Sequence, residues 1–101
     1  MTGTALWQKS AREIAAATQS GAVSAESTVE AAVTRMRQIN PDLNAVVVDL
    51  GDSAVERAAS LDKQRAAGQP CGPLHGVAVT IKINVDQTGH ATSNGVSALQ
   101  H

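Results

Sequence analysis

Gly72-Pro-Leu-His-Gly-Val-Ala-Val-Thr-Ile-Lys-Ile-Asn-Val-Asp86 is the stretch on which the reading of this chain turns. Its first five residues, Gly72 to Gly76, are turn chemistry: proline presets one backbone angle and the glycines allow conformations closed to other residues. Val77 to Val85 is rich in β-branched residues and predicts a strand, interrupted by Lys82. An apolar strand is at least half buried, so its lysine meets a low-dielectric setting. Desolvation disfavours the ammonium and draws the amine toward neutrality. A neutral, positioned lysine is a general base. The plainer alternative is a lysine at a strand end whose ammonium reaches back to water. On residue chemistry alone, the plainer alternative has the advantage.

Working outward, the chain from Gln87 onward is rich in Gly, Thr, Ser and Asn and reads as loop. Upstream, Ser10-Ala-Arg-Glu13 matches a capping box, and a helix is expected from about Ala11 to Gln19. Gly21 supplies a left-handed stop. Ser24 is the next N-cap. Val29, Val33, Met36 and Ile39 then recur at helical spacing with Ala32 on the same face, a stripe that reads as core. Asn40-Pro41 should end that helix, because the residue before a proline avoids the helical region. Asn44 to Leu50 holds an Ala-Val-Val-Val run that predicts a short buried strand. Gly51-Asp-Ser53 opens a third helix, about Ala54 to Ala67, and Gly68-Gln-Pro70 closes it. The order α-α-β-α-β predicts an α/β fold class with its sheet only begun. Residues 1–70 form a mainly helical lead-in, and residues 71–101 the turn, the lysine strand and a Gly/Ser/Thr-rich loop.

Composition narrows the function classes. The 101 residues carry eight Lys/Arg against nine Asp/Glu, a formal net charge of −1. That balance gives no electrostatic footprint for nucleic acid or an anionic membrane. The apolar fraction is 43%, but there is no Phe or Tyr and Trp7 is the single aromatic. A core built so largely of alanine buries little area per residue, which favours packing onto something further. No stretch approaches the roughly 18–20 apolar residues of a membrane span. Met1 to Ser20 lacks the basic and apolar regions of a signal peptide. The one cysteine, Cys71, allows no intramolecular disulfide and suits a reducing, cytoplasmic setting. No nearby His or helix start marks it as a reactive thiol. His90 and His101 have no partner at metal-ligand spacing.

The segment from Gly72 to Asp86, followed by Gly89 and Thr92-Ser-Asn-Gly95, resembles the amidase-signature family. That family shows a Gly-Pro-Leu-His-Gly turn, an apolar strand, a lysine, then Asp-Asn-Ile-Asp and a Gly/Thr/Ser-rich loop. The upstream helices and valine run fit the same pattern less specifically. The resemblance implies a Ser–cis-Ser–Lys triad. One serine attacks the amide carbonyl, a second relays its proton, and the lysine accepts it. An acyl-enzyme forms, ammonia or an amine leaves, and water hydrolyses the ester. Carried over residue by residue, Lys82 matches the catalytic lysine. Gly72, Pro73, His75, Gly76, Asn84 and Asp86 match structural positions around it. His75 is a candidate acid or base by chemistry alone, and a turn residue by resemblance. Ser93 and Ser97 do not match the family's serines, whose Gly-Gly-Ser-Ser-Gly-Gly segment has no counterpart here.

Two positions depart from the pattern. Ile83 replaces the usual Asp after the lysine, removing a carboxylate able to orient the loop. Ala78 stands where the family often has proline. The resemblance implies no metal and no organic cofactor, a small-molecule amide as substrate, and no activity from these residues alone. It leaves room for a homodimer, or for a partner polypeptide that supplies the serines. Two rivals remain: a non-catalytic interaction module, and one half of a split enzyme. Within the family, an amidotransferase component and an allophanate hydrolase are equally compatible.

Overall fold

The computed structural model describes residues 5–85 and 87–89. A 3₁₀ helix, Leu6–Gln8, leads into three α-helices: α1 (Ala11–Ser20), α2 (Ala25–Leu43) and α3 (Gly51–Ala66). None of these helices is long and apolar enough to cross a membrane.

Helix α1 starts where the capping box places it. The Glu13 N–H donates to Ser10 Oγ (3.1 Å) and the Ser10 N–H donates to Glu13 Oε1 (2.9 Å). Two of the helix-start donors that lack intrahelical partners are thereby satisfied. The helix stops at Gly21, whose φ of 82° is left-handed. A side chain there would also collide with the Arg65 guanidinium, 2.5 Å from an ideal Cβ.

The start of α2 is capped twice. Ser24 Oγ accepts from the Ser27 N–H at 3.0 Å. The Asp62 carboxylate, on α3, accepts from the Ala25 and Glu26 N–H groups at 2.7 and 3.0 Å. A carboxylate against a helix N-terminus is favourable both as acceptor and as charge. The core lies along the same seam, where Ala25, Val29 and Ala58 are buried, with Val33, Ala54, Val55 and Leu61 around them. Small residues let α2 and α3 approach closely. Trp7 lies outside this core, against α2, with Arg35 stacked 4.4 Å from its ring centroid.

Helix α2 runs past Asn40-Pro41 to Leu43, beyond the predicted stop. The proline forfeits one intrahelical bond. The Asn40 amide offsets that loss by bonding Val46 in both directions: it accepts from the Val46 N–H (2.8 Å) and donates to the Val46 carbonyl (3.0 Å). Asn44, left-handed at φ 52°, then closes the helix. Helix α3 begins at Gly51, earlier than predicted, because Asp49 Oδ1 accepts the Gly51 N–H at 2.8 Å. Asp49 is itself held by Arg37 Nε at 2.9 Å, which keeps its carboxyl below the ordinary range.

The larger correction concerns the sheet. Among the described residues there is no strand; they are mostly helical, and the sheet of the α/β expectation is not seen among them. Neither residues 44–50 nor residues 77–85 form one. Val47, Val48, Val79, Ile81 and Val85 are all exposed. The physical reason is pairing. A strand is defined by hydrogen bonds to a neighbouring strand, and β-propensity expresses packing on such a neighbour rather than a backbone preference. The described residues supply no such neighbour to either segment.

Candidate active site

The turn at 72–76 is docked on the helices by hydrogen bonds to its carbonyls. Thr18 Oγ1, buried on α1, donates to the His75 carbonyl at 2.5 Å. Thr28 Oγ1, buried on α2, donates to the Gly76 carbonyl at 2.7 Å. Gln19 Nε2 donates to the Gly72 carbonyl at 3.0 Å. Within the turn, the His75 N–H donates to the Gly72 carbonyl and the Val77 N–H to the Leu74 carbonyl, at 3.2 and 3.0 Å. Gly76 has φ 78°, and an ideal Cβ there would lie 2.5 Å from Thr18 Cγ2. Both the backbone angle and the close approach of Thr18 therefore require glycine.

His75 is buried, 6% exposed, and its Nε2 has no partner among the described residues. Its hydrogen bonds in the turn run through its backbone. The side chain thus fills space beneath the turn and leaves one ring nitrogen unsatisfied. Gly72 and Pro73 are exposed on the rim, and Cys71 before them is half-buried.

From Val77 to Lys82 the chain has no regular secondary structure, and the Lys82 carbonyl accepts from the Val85 N–H at 3.0 Å. Lys82 is exposed. The buried setting expected of an apolar strand is absent here, for the same lack of a pairing neighbour. Asn84, Ile81 and Val85 are exposed as well. Asp86, His90, Ser93, Ser97 and His101 lie outside the described residues.

The sequence reading missed Thr18, Gln19 and Thr28. Threonine within a helix is ordinary by propensity. Nothing at those positions announces a partner dozens of residues away.

Residues 27–101 match the family model described as Amidase. The chain belongs to the amidase family. Among curated amidase relatives, it is 57% identical over 93 residues to an indoleacetamide hydrolase of Bradyrhizobium diazoefficiens. That alignment covers 92% of this chain and 18% of the relative. An acylamidase of Rhodococcus erythropolis is 36% identical over 98% of the chain and 21% of its own length. One glutamyl-tRNA(Gln) amidotransferase subunit, from Symbiobacterium thermophilum, is 36% identical over 72% of the chain and 15% of its own length. The chain thus spans about a fifth of the length of the amidase relatives it matches. No solved structure matches it.

Proposed function

We propose that this chain is the lysine-bearing, N-terminal part of an amidase that hydrolyses a primary carboxamide to carboxylate and ammonia, with Lys82 as the general base. The observation that carries the reading is the Gly72–Asp86 segment, with its turn, extended run and lysine, in a chain 57% identical to an indoleacetamide hydrolase.

The chemistry requires the amine form of Lys82. Its lone pair takes the proton of a serine hydroxyl, relayed through a second serine, as that oxygen attacks the amide carbon. The collapsing intermediate expels the amine, which leaves as ammonia after gaining a proton. Water then attacks the acyl-serine ester and releases the carboxylate. The serines belong to the remainder of the protein, so residues 1–101 alone are expected to be inactive. A small arylacetamide is the substrate class supported by the name of the 57% identical relative. Amidotransferase subunits match at lower identity, 32–39%, and support a second reading in which the amide nitrogen passes to another acceptor.

The test is ammonia release from indoleacetamide by the whole protein. Lys82→Ala is expected to lower kcat by about 10²–10⁴-fold, the span a positioned base contributes. A variant retaining the parent rate overturns the role of Lys82. Ammonia appearing only with a second acceptor and partner subunits favours the amidotransferase reading.

A further inference from the structure

We infer that Thr18 and Thr28 are positioning residues for Lys82, acting as a two-point clamp on the turn that launches it; the inference rests on the reading of Lys82 as the base.

The two hydroxyls come from different helices and converge on consecutive carbonyls, those of His75 and Gly76. Fixing two successive carbonyls fixes two successive peptide planes. The backbone angles at Gly76 are then set from outside, at a residue that has no side chain of its own to restrict them. That matters because Gly76 is the hinge from which the chain leaves for Lys82.

Each threonine also has a local alternative. Thr18 Oγ1 lies 3.2 Å from the Ala15 carbonyl, and Thr28 Oγ1 lies 2.9 Å from the Ala25 carbonyl. Such bonds to the preceding helical turn are common for threonine in helices. A hydroxyl has one hydrogen to give. In both cases the turn carbonyl is the nearer acceptor, at 2.5 and 2.7 Å. Both side chains are almost wholly buried, so no water competes for those carbonyls. Gly76 is what permits the approach, since an ideal Cβ there meets Thr18 Cγ2.

Lys82 follows Gly76 by six residues, at most about 20 Å of contour at roughly 3.3 Å per residue. A swing of roughly 5° at the hinge moves the far end by more than ~1 Å, and a displacement of about 1 Å costs a catalytic group on the order of 10²-fold. A clamp at the turn is therefore felt at the amine without touching it.

The experiment uses the whole protein with Thr18→Val and Thr28→Val, which keep shape and remove the hydroxyl, beside Thr18→Ser and Thr28→Ser, which keep the hydroxyl. Amide hydrogen exchange is expected to quicken at His75 and Val77, whose N–H groups the turn protects, in the valine variants and not across α1 or α2. With indoleacetamide as the probe, kcat is expected to fall about 10- to 100-fold with KM held within roughly twofold. Serine is expected to restore both readouts. Unchanged exchange at His75 and Val77 overturns the clamp, as does serine behaving like valine, or a lower melting temperature with kcat intact. Gln19→Leu is the second variant should the valine proteins not fold. It removes the exposed bond to Gly72, and a kcat drop of about two- to fivefold with constant KM is expected; no change overturns the proposal. Lys82→Ala separates the failures. If it keeps the parent rate, the reading of Lys82 falls, and exchange at His75 and Val77 alone decides the clamp.

Discussion

Gly76 shows how a single missing side chain constrains the site. Its left-handed φ and its contact with Thr18 each exclude a Cβ. Gly76→Ala is expected to destabilise the protein by about 1–3 kcal/mol, read as a lower denaturant midpoint at constant slope. Gly72 and Gly68, with nothing within reach of an added Cβ, differ in kind. At Gly72 no left-handed φ intervenes either, so Gly72→Ala is expected to shift the midpoint far less. The glycines of the turn were legible in the sequence as turn residues, but their ranking was not. Rank depends on Thr18, which sits on another element. Lys82 shows the converse. The sequence named it through its motif, while its exposure follows from what surrounds it in space.

Helix starts are where sequence reading succeeded best. Ser10, Glu13, Ser24 and Gly21 act through partners within a few residues, and the structure realises each as expected. Ser10→Ala is expected to cost about 0.5–2 kcal/mol, measured by denaturant unfolding. Glu13 adds a pH dependence. The backbone N–H of Ser10, then its hydroxyl, hold the Glu13 carboxyl below its ordinary value of 4.5. A carboxyl lowered on folding stabilises the folded state above its unfolded value and loses that effect as pH falls. Melting temperature is therefore expected to drop below pH 4.5 by less in Glu13→Gln than in the parent. An equal drop in both would show that Glu13 does not carry this effect. Asp62 is the cap that no local pattern revealed, since it reaches α2 from α3. Asp62→Ala is expected to cost about 1 kcal/mol and to quicken amide exchange at the first turn of α2 while leaving that of α1 unchanged.

Helices α2 and α3 share a seam of small residues, and that sets how the molecule tolerates change. Ala58 is buried between α2 and α3 beside Ala25 and Val29. Ala58→Leu is expected to force the helices apart and cost roughly 1–3 kcal/mol, seen as a lower midpoint in chemical denaturation. The valines and isoleucine of the two extended segments stay outside this core. The strand expectation failed there because apolar, β-branched runs report readiness to pair, not the presence of a partner. The same runs agree with membership of a family whose members are several times longer than this chain.

By itself, the sequence determined the family, the turn before Lys82, and the ends of α1 together with the start of α2. Each of these rests on short-range pattern, where a residue's partner lies three or four positions away. Only the tertiary structure decided that Thr18 and Thr28 hold the turn, that Asp62 caps α2, and that neither extended segment finds a strand among the described residues. Those contacts join residues 57, 48 and 37 positions apart. Such pairs form only once the helices and the turn have packed together, and packing is a property of the folded surface that no local spacing encodes.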